Sequence, residues 1–160
     1  MLKLLGQAFV IVLVFFAVST YQERNMLPDS GAQMAPPFHL HMLQSKQTYS
    51  SIQLKGQQSV VYFFAPWCGV CRVSMPNIDK LHQQGKVKAV AIALDYRSTE
   101  EVTKFVSDLQ LEMPVLLGDQ ATATDYKVQA YPTYYVLDEN FMITERSVGY
   151  SSEIGIRARL

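Results

Sequence analysis

The sequence predicts an α/β protein: a central mixed β-sheet flanked by helices, with an N-terminal β-hairpin and an apolar leader ahead of it. Three observations lead there. Runs apolar on both faces, Val60-Val61-Tyr62-Phe63-Phe64 and Val87 to Leu94, have the pattern of central buried strands. Segments with helical apolar spacing alternate with them. Alternating segments at both ends of the region pair as hairpins. The 160 residues suit about one domain. At 49% hydrophobic and 18% charged, the chain is too apolar for disorder and too polar for a multi-span membrane protein. Fourteen Lys+Arg balance fourteen Asp+Glu, which leaves no basic footprint for nucleic acid or anionic lipid. Two cysteines exclude a multi-bridge scaffold.

Residues 1–22 are expected to be a signal anchor or signal peptide. Lys3 precedes nineteen uncharged residues, Leu4 to Gln22, with an unbroken apolar centre from Ala8 to Val18. As a helix this stretch spans about 28 Å, close to the hydrocarbon thickness of a bilayer. Ala17-Val18-Ser19 offers a cleavage spacing, while the length of the run favours an uncleaved anchor. Positive charge before the run favours an outward-facing domain. Residues 23–37 are expected to be a linker, with Pro28, Asp29, Ser30, Gly31 and Pro36-Pro37 and no apolar period. Met26, Met34 and Met42 read as linker and packing residues more readily than as a soft-metal site.

The folded domain is expected over 38–160. Phe38 to Met42 alternates as a short strand, and Thr48 to Leu54 pairs back with it across Gln44–Gln47. Ser59 to Ala65 is the central strand. Gly69 to Gln84 is a helix, with Val73, Ile78 and Leu81 on or near its apolar face and Gly85 as its stop. Val87 to Leu94 is the next strand. Ser98 or Thr99 caps a helix carrying Glu100 and Glu101 in its first turn and Val102, Phe105, Val106 and Leu109 on its apolar face. Pro114 to Leu117 is a short strand and Ala121 to Tyr126 a short helix. Thr133 to Leu137 and Met142 to Val148 are strands joined by the turn Asp138-Glu139-Asn140. Ser151 to Leu160 closes the chain as a short helix.

Trp67-Cys68-Gly69-Val70-Cys71 follows a strand and opens a helix, the context in which C-x-x-C has redox meaning. Unpaired N–H groups and the partial positive charge of a helix start favour a thiolate at Cys68. Cys71 lies one turn further in, within reach of a mixed disulfide. Gly69 and Val70 make the tight uncharged turn between them. The competing readings are weaker. A staple closing so short a loop stabilises little. Zinc needs about four ligands, and no second cysteine pair exists. His39 and His41 share one face of a strand and His82 sits on the first helix, and they read more readily as exposed or core histidines than as a Cys/His site.

From about Phe38 onward the chain resembles the thioredoxin superfamily, and within it the TlpA/ResA-like membrane-tethered thiol–disulfide oxidoreductases of the bacterial envelope. The resemblance is carried by Val60 to Arg72, by Pro76 in the helix, and by Val128-Gln129-Ala130-Tyr131-Pro132-Thr133 ahead of Tyr134 to Asp138. It implies a thioredoxin-like domain with Cys68 as nucleophile, Cys71 as resolving cysteine and Trp67 shielding the pair. It further implies a cis-proline at Pro132 whose loop, Tyr131 to Thr133, pairs with an extended client peptide, and a helix kink at Pro76.

Two positions depart from the family. Tyr62 stands where thioredoxins have a buried Asp, and Ser74 where the TlpA/ResA branch often has a Glu. In the family both carboxylates serve the proton of the buried cysteine. Asp95 stands at the site edge as a candidate substitute, but reads more readily as a surface Asp. The resemblance favours a disulfide reductase with a specific client, in cytochrome c maturation or protection of envelope thiols. It would need no cofactor beyond the Cys68–Cys71 disulfide and no metal. It would sit on the extracytoplasmic, periplasmic face of the cytoplasmic membrane through residues 4–22, and a DsbD-type membrane donor would recharge it. A dithiol oxidase and a non-catalytic binding or metal-handling module are the alternatives.

Overall fold

The computed structural model describes residues 25–45 and 47–160, with Gln7 and Val14 alone ahead of them. The leader over 4–22 therefore lies outside the described residues. Among the described residues no helix is long and apolar enough to cross a membrane. The elements are β1 (His39–Met42), β2 (Thr48–Ser50), β3 (Ser59–Phe64), α1 (Gly69–Gln83), β4 (Lys88–Ala93), α2 (Thr99–Asp108), β5 (Val115–Leu117), α3 (Gln120–Asp125), β6 (Thr133–Leu137), β7 (Ile143–Val148) and α4 (Glu153–Arg157). A 3-10 turn over Ser51–Leu54 follows β2.

The strands form one sheet in the order β2-β1-β5-β4-β3-β6-β7. β3, β4 and β5 run parallel. β6 is antiparallel to β3, β7 to β6, β1 to β5 and β2 to β1. Every residue of β3 is buried, as its unbroken apolar run requires of a strand with layers on both sides. The crossovers β3–α1–β4 and β4–α2–β5 step in one direction, and crossovers of one hand place their helices on one face. Met75, Ile78 and Leu81 of α1 and Val102, Phe105 and Val106 of α2 accordingly share a core with Tyr62, Phe64 and Ile156. The chain then reverses. It runs from β5 through α3 to β6, on the other side of β3, and α3 lies on the opposite face. There Val61, Phe63, Ile92, Leu116, Tyr126 and Tyr135 form a second core.

Each helix starts on a side chain that accepts from its own first turn. Ser98 Oγ accepts from Glu101 N–H at 3.4 Å, Asp119 Oδ1 from Thr122 N–H at 2.8 Å and Ser152 Oγ from Gly155 N–H at 3.2 Å. Glu101 reaches back to Arg97 N–H at 3.0 Å.

Three sequence expectations need correction. The strand expected over Thr48 to Leu54 stops at Ser50. Ser51 N–H donates to Phe38 O at 3.0 Å, Ser51 Oγ accepts from Phe38 N–H at 3.2 Å, and the chain then turns. A strand would set Ile52 and Leu54 on one face; the turn buries Leu54 completely and leaves Ile52 exposed. Val73 is not on the apolar face of α1. It lies 64% exposed, because the buried stripe runs through Cys71, Ser74, Met75, Ile78 and Leu81, and the five residues from Val73 to Ile78 leave the two about 140° apart around the helix.

The third correction concerns the expected linker. From Met26 onward it is a docked strap. Met26, Leu27 and Ala35 are buried in the second core. Gly31 N–H donates to Ile143 O at 2.9 Å, Ile143 N–H to Gln33 O at 2.8 Å and Ala35 N–H to Phe141 O at 3.0 Å. Met34 bridges Met142 in antiparallel fashion. Proline favours extended backbone here and Gly31 turns at a φ of 70°, and backbone laid beside β7 finds hydrogen-bond partners that a free linker lacks. Met26 and Met34 part company here, the first buried and the second 55% exposed.

Candidate active site

β3, β4 and β5 end at the same edge of the sheet, and antiparallel β6 begins there. Ligand sites of open α/β sheets form outside the carboxyl ends of such strands. β3 runs out into Ala65-Pro66-Trp67 and reaches Cys68, the N-cap of α1. Cys68 and Cys71 are joined by a disulfide, with Cα atoms 5.3 Å apart. Cys71 is fully buried and Cys68 5% exposed, so Cys68 offers what access there is. Cys71 N–H points at Cys68 Sγ, 3.1 Å away. A sulfur at an N-cap thus receives a backbone donor and the positive end of the helix together, and both stabilise it as a thiolate.

The surroundings of the disulfide are apolar and exposed. Trp67, Val70 and Val73 are 61%, 46% and 64% exposed. Exposed apolar groups around a reactive pair mark a contact surface. Gly69, also exposed, begins the helix, and a side chain there would meet nothing within 4 Å. Trp67 is held from two sides. Its Nε1–H donates to Asp95 O at 3.0 Å, and its ring meets that of Tyr131 edge-on at 5.7 Å. The Tyr131–Pro132 peptide bond is cis. The loop is braced from within: Thr133 Oγ1–H donates to Ala130 O at 2.8 Å, and Gly149 N–H donates to Pro132 O at 2.8 Å. Thr133, one of the three residues expected to meet a client peptide, is buried and sits in β6 between β3 and β7, so it does not reach the surface.

Asp95 lies exposed at the rim with φ at 49°, and its carbonyl rather than its carboxylate engages Trp67. With Tyr96, Gly118, Asp119 and Tyr131 it lines a cleft of about 460 Å³ beside the disulfide. Burial and the Asp95 charge together raise the pKa of Tyr131. Gly118 is required at this edge. A Cβ would stand 2.6 Å from Ile92 Cγ2 and 2.7 Å from Leu94 Cδ2.

Beneath α1, Tyr62 and Ser74 come together in a cluster of hydroxyls. Ser74 Oγ accepts from Ser151 N–H at 3.2 Å and donates to Ser151 O at 3.4 Å. Asn77 Nδ2 donates to the same carbonyl at 3.0 Å, and Tyr134 OH lies 3.1 Å from Ser151 Oγ. Tyr62 stacks on Tyr134 with ring centres 6.2 Å apart, and its hydroxyl is buried without a hydrogen-bond partner. Burial pushes the Tyr62 pKa far up, with the Ser74 hydroxyl opposing the rise. Both groups are therefore neutral at ordinary pH. Among the described residues Asp79 is the one buried charged group, and it is committed elsewhere. Its Oδ1 accepts from Glu112 N–H at 3.0 Å and Met113 N–H at 2.7 Å, and its Oδ2 from Gln83 Nε2 at 2.7 Å. Asp79 escaped the sequence reading, although a carboxylate at the i+1 position beside Ile78 on a buried helix face was a visible signal. His82 is also structural, its Nδ1 accepting from Ala89 N–H at 3.1 Å.

Fold and bridged pair together define a class, the thioredoxin-like proteins that exchange thiols and disulfides. The chain belongs to the Redoxin family, whose profile matches residues 29–158. It is 33% identical over 156 residues to the thioredoxin-like protein YneN of Bacillus subtilis strain 168, an alignment covering 92% of this chain and 90% of the relative. It is 31% identical over 142 residues to the thiol-disulfide oxidoreductase ResA of Oceanobacillus iheyensis, covering 85% of this chain and 73% of that one. Its structure superposes on that of a DsbE-type thiol:disulfide interchange protein from Chlorobium tepidum with a TM-score of 0.71 at 26% identity, over 79% of this chain and 95% of the other. The protein is a thiol–disulfide oxidoreductase carrying a redox disulfide between Cys68 and Cys71.

Proposed function

We propose that the protein works as a disulfide reductase, with Cys68 attacking and Cys71 resolving. The observation that carries the roles of the two sulfurs is the Cys71 N–H aimed at Cys68 Sγ on the helix N-cap, beside a fully buried Cys71; the reducing direction rests on the likeness to ResA and DsbE relatives. In the reduced protein the Cys68 thiolate attacks one sulfur of a client disulfide. A mixed disulfide forms and the other client sulfur leaves as a thiolate. Cys71 loses its proton and attacks Cys68 Sγ, and the second client sulfur leaves. Two electrons pass to the client, and the protein ends as the Cys68–Cys71 disulfide.

The client lies on the apolar rim of Trp67, Val70 and Tyr131. Its backbone pairs with that of Tyr131, the part-exposed residue ahead of the cis bond, as an added strand. A membrane electron donor of the DsbD type returns the pair to the dithiol. Residues 4–22 anchor the domain on the outer face of the cytoplasmic membrane, which the length and polarity of that segment support. The resemblance to ResA and DsbE relatives supports the reducing direction.

Insulin reduction and client trapping test the assignment. Cys68→Ser should lower insulin reduction to the uncatalysed rate. Cys71→Ser should accumulate a mixed disulfide at Cys68, seen as a thiol-sensitive adduct. Insulin reduction that survives Cys68→Ser would remove this disulfide from the mechanism and leave a binding module.

A further inference from the structure

We propose that the docked strap is a positioning device, holding the redox edge at the bilayer surface so that the disulfides it reduces belong to partners carried by the membrane. This rests on the anchored reading given above.

The strap meets the domain at the redox edge. Met26 lines a small cavity of about 130 Å³ with Gln129, Ala130, Thr133 and Val148, so it shares a cavity wall with the loop that carries the cis Tyr131–Pro132 bond. Its neighbourhood is clamped. Arg146 Nη1 donates to Leu27 O at 2.8 Å and to Met26 O at 3.5 Å, and Arg146 Nε pairs with Asp29 Oδ2 at 3.4 Å. Leu27 N–H donates to Tyr135 OH at 3.3 Å, which itself donates to Tyr126 O at 2.7 Å. Further along, Tyr126 OH donates to Pro36 O at 2.7 Å. The strap is thus fixed at both ends and in the middle, where Gly31 and Gln33 bond to Ile143.

The consequence is a matter of length. Were residues 23–37 a free tether, its fifteen residues would let the domain turn in any direction. Docking from Met26 onward leaves four chain steps between Gln22 and the clamp. Four steps reach at most about 14 Å. A domain tied so briefly, and tied beside its own client loop, keeps that loop toward the surface from which the tether comes. The exposed Trp67, Val70 and Val73 belong to the same edge. A partner disulfide close to the bilayer meets them at high effective concentration, and one standing far from it does not.

The test uses the full chain in phosphatidylcholine vesicles, whose flotation is measured first. A chain that fails to float with vesicles overturns the anchored reading and this proposal with it. A floating chain is then assayed on two probes: a palmitoylated disulfide peptide held on the vesicle, and the same peptide without lipid. A twenty-residue Gly-Ser spacer between Arg24 and Asn25 adds roughly 25 Å of average reach. It should lower the ratio of lipidated to free peptide reduction about fivefold while the rate on free peptide stays unchanged. Arg146→Ala, which loosens the clamp without adding length, should lower the ratio in the same direction by less. A ratio unmoved by the spacer in a chain that floats would overturn the strap's role and leave the anchor intact.

Discussion

Among the described residues three helices roof one face of the sheet, and a strap, a 3-10 turn and a six-residue helix roof the other. On the helical face, α1 and α2 are joined across their surface by Arg72, whose guanidinium sits 4.8 Å above the Phe105 ring and reaches Asp108 at 3.4 Å. α4 is tied to α1 by Lys80 and Glu153 at 2.7 Å. That face carries Cys68 and Cys71, and it is closed by elements that satisfy their own backbone. The strap face is closed by extended chain that must borrow partners from β7, α3 and Arg146. The difference separates two tasks. Rigid helices hold the disulfide, while a backbone that depends on docking forms the strap, which on the proposal above sets where the domain hangs.

Substitutions on the two faces should therefore fail in different ways. The largest loss is expected on the helical face. Asp79→Ala strips the buried Met113 N–H and the part-buried Glu112 N–H of their acceptor. Urea denaturation should show a cost of about 2–3 kcal/mol. Asp79→Asn keeps an acceptor oxygen and should cost less than about 1.5 kcal/mol. Equal losses for the two variants would mean that the charge, and not the acceptor, joins α1 to the approach of β5.

Arg146→Ala on the strap face should cost about 1 kcal/mol globally, since Arg146 is part-exposed and the strap also rests on buried Met26 and Leu27. Its local effect should be larger. Amide exchange should speed at Gly31 and Ala35, whose N–H groups bond to Ile143 and Phe141, while the amides of α1 stay protected. Uniform acceleration across both faces would show that strap and helices open as one unit.

The smallest effect is expected at the cap of α3. Bonds from the Thr122 N–H and hydroxyl hold the Asp119 carboxyl below its usual pKa. A carboxyl depressed in the folded state stabilises above its unfolded pKa, and that contribution is lost as pH falls through the folded value. Asp119→Ala should cost about 1 kcal/mol or less near neutral pH. The gap from the unaltered protein should shrink below about pH 4, as the carboxylate in the unaltered protein takes up its proton. A gap that persists unchanged in acid would assign the cap to geometry alone.

The helical face was legible in the sequence and the strap face was not. Strands such as Val60 to Phe64 declare themselves through an unbroken apolar run, and a C-x-x-C that opens a helix declares its chemistry through local context. Pro132 took its meaning from the same motif far upstream. The strap offers no such pattern. A loose linker and a docked strap share one composition, and the difference lies in pairings such as Gly31 with Ile143, which are remote in sequence. Val73 was misplaced because valine is read as core wherever it sits on a helix, whereas the rim of a redox site exposes such groups. Asp79 was hidden for the opposite reason: it is polar in a place where pattern reading expects apolar residues, and only its partners explain it. Tyr62 and Ser74 stood out as departures, but their cluster with Tyr134 and Ser151 did not.

The reducing direction is tested most directly by the reduction potential of the Cys68–Cys71 pair, measured by equilibrating the full chain with glutathione buffers. A value near or below about −230 mV, among the reductants, is the expected result. A value above about −180 mV would place the pair with oxidants and isomerases and contradict it.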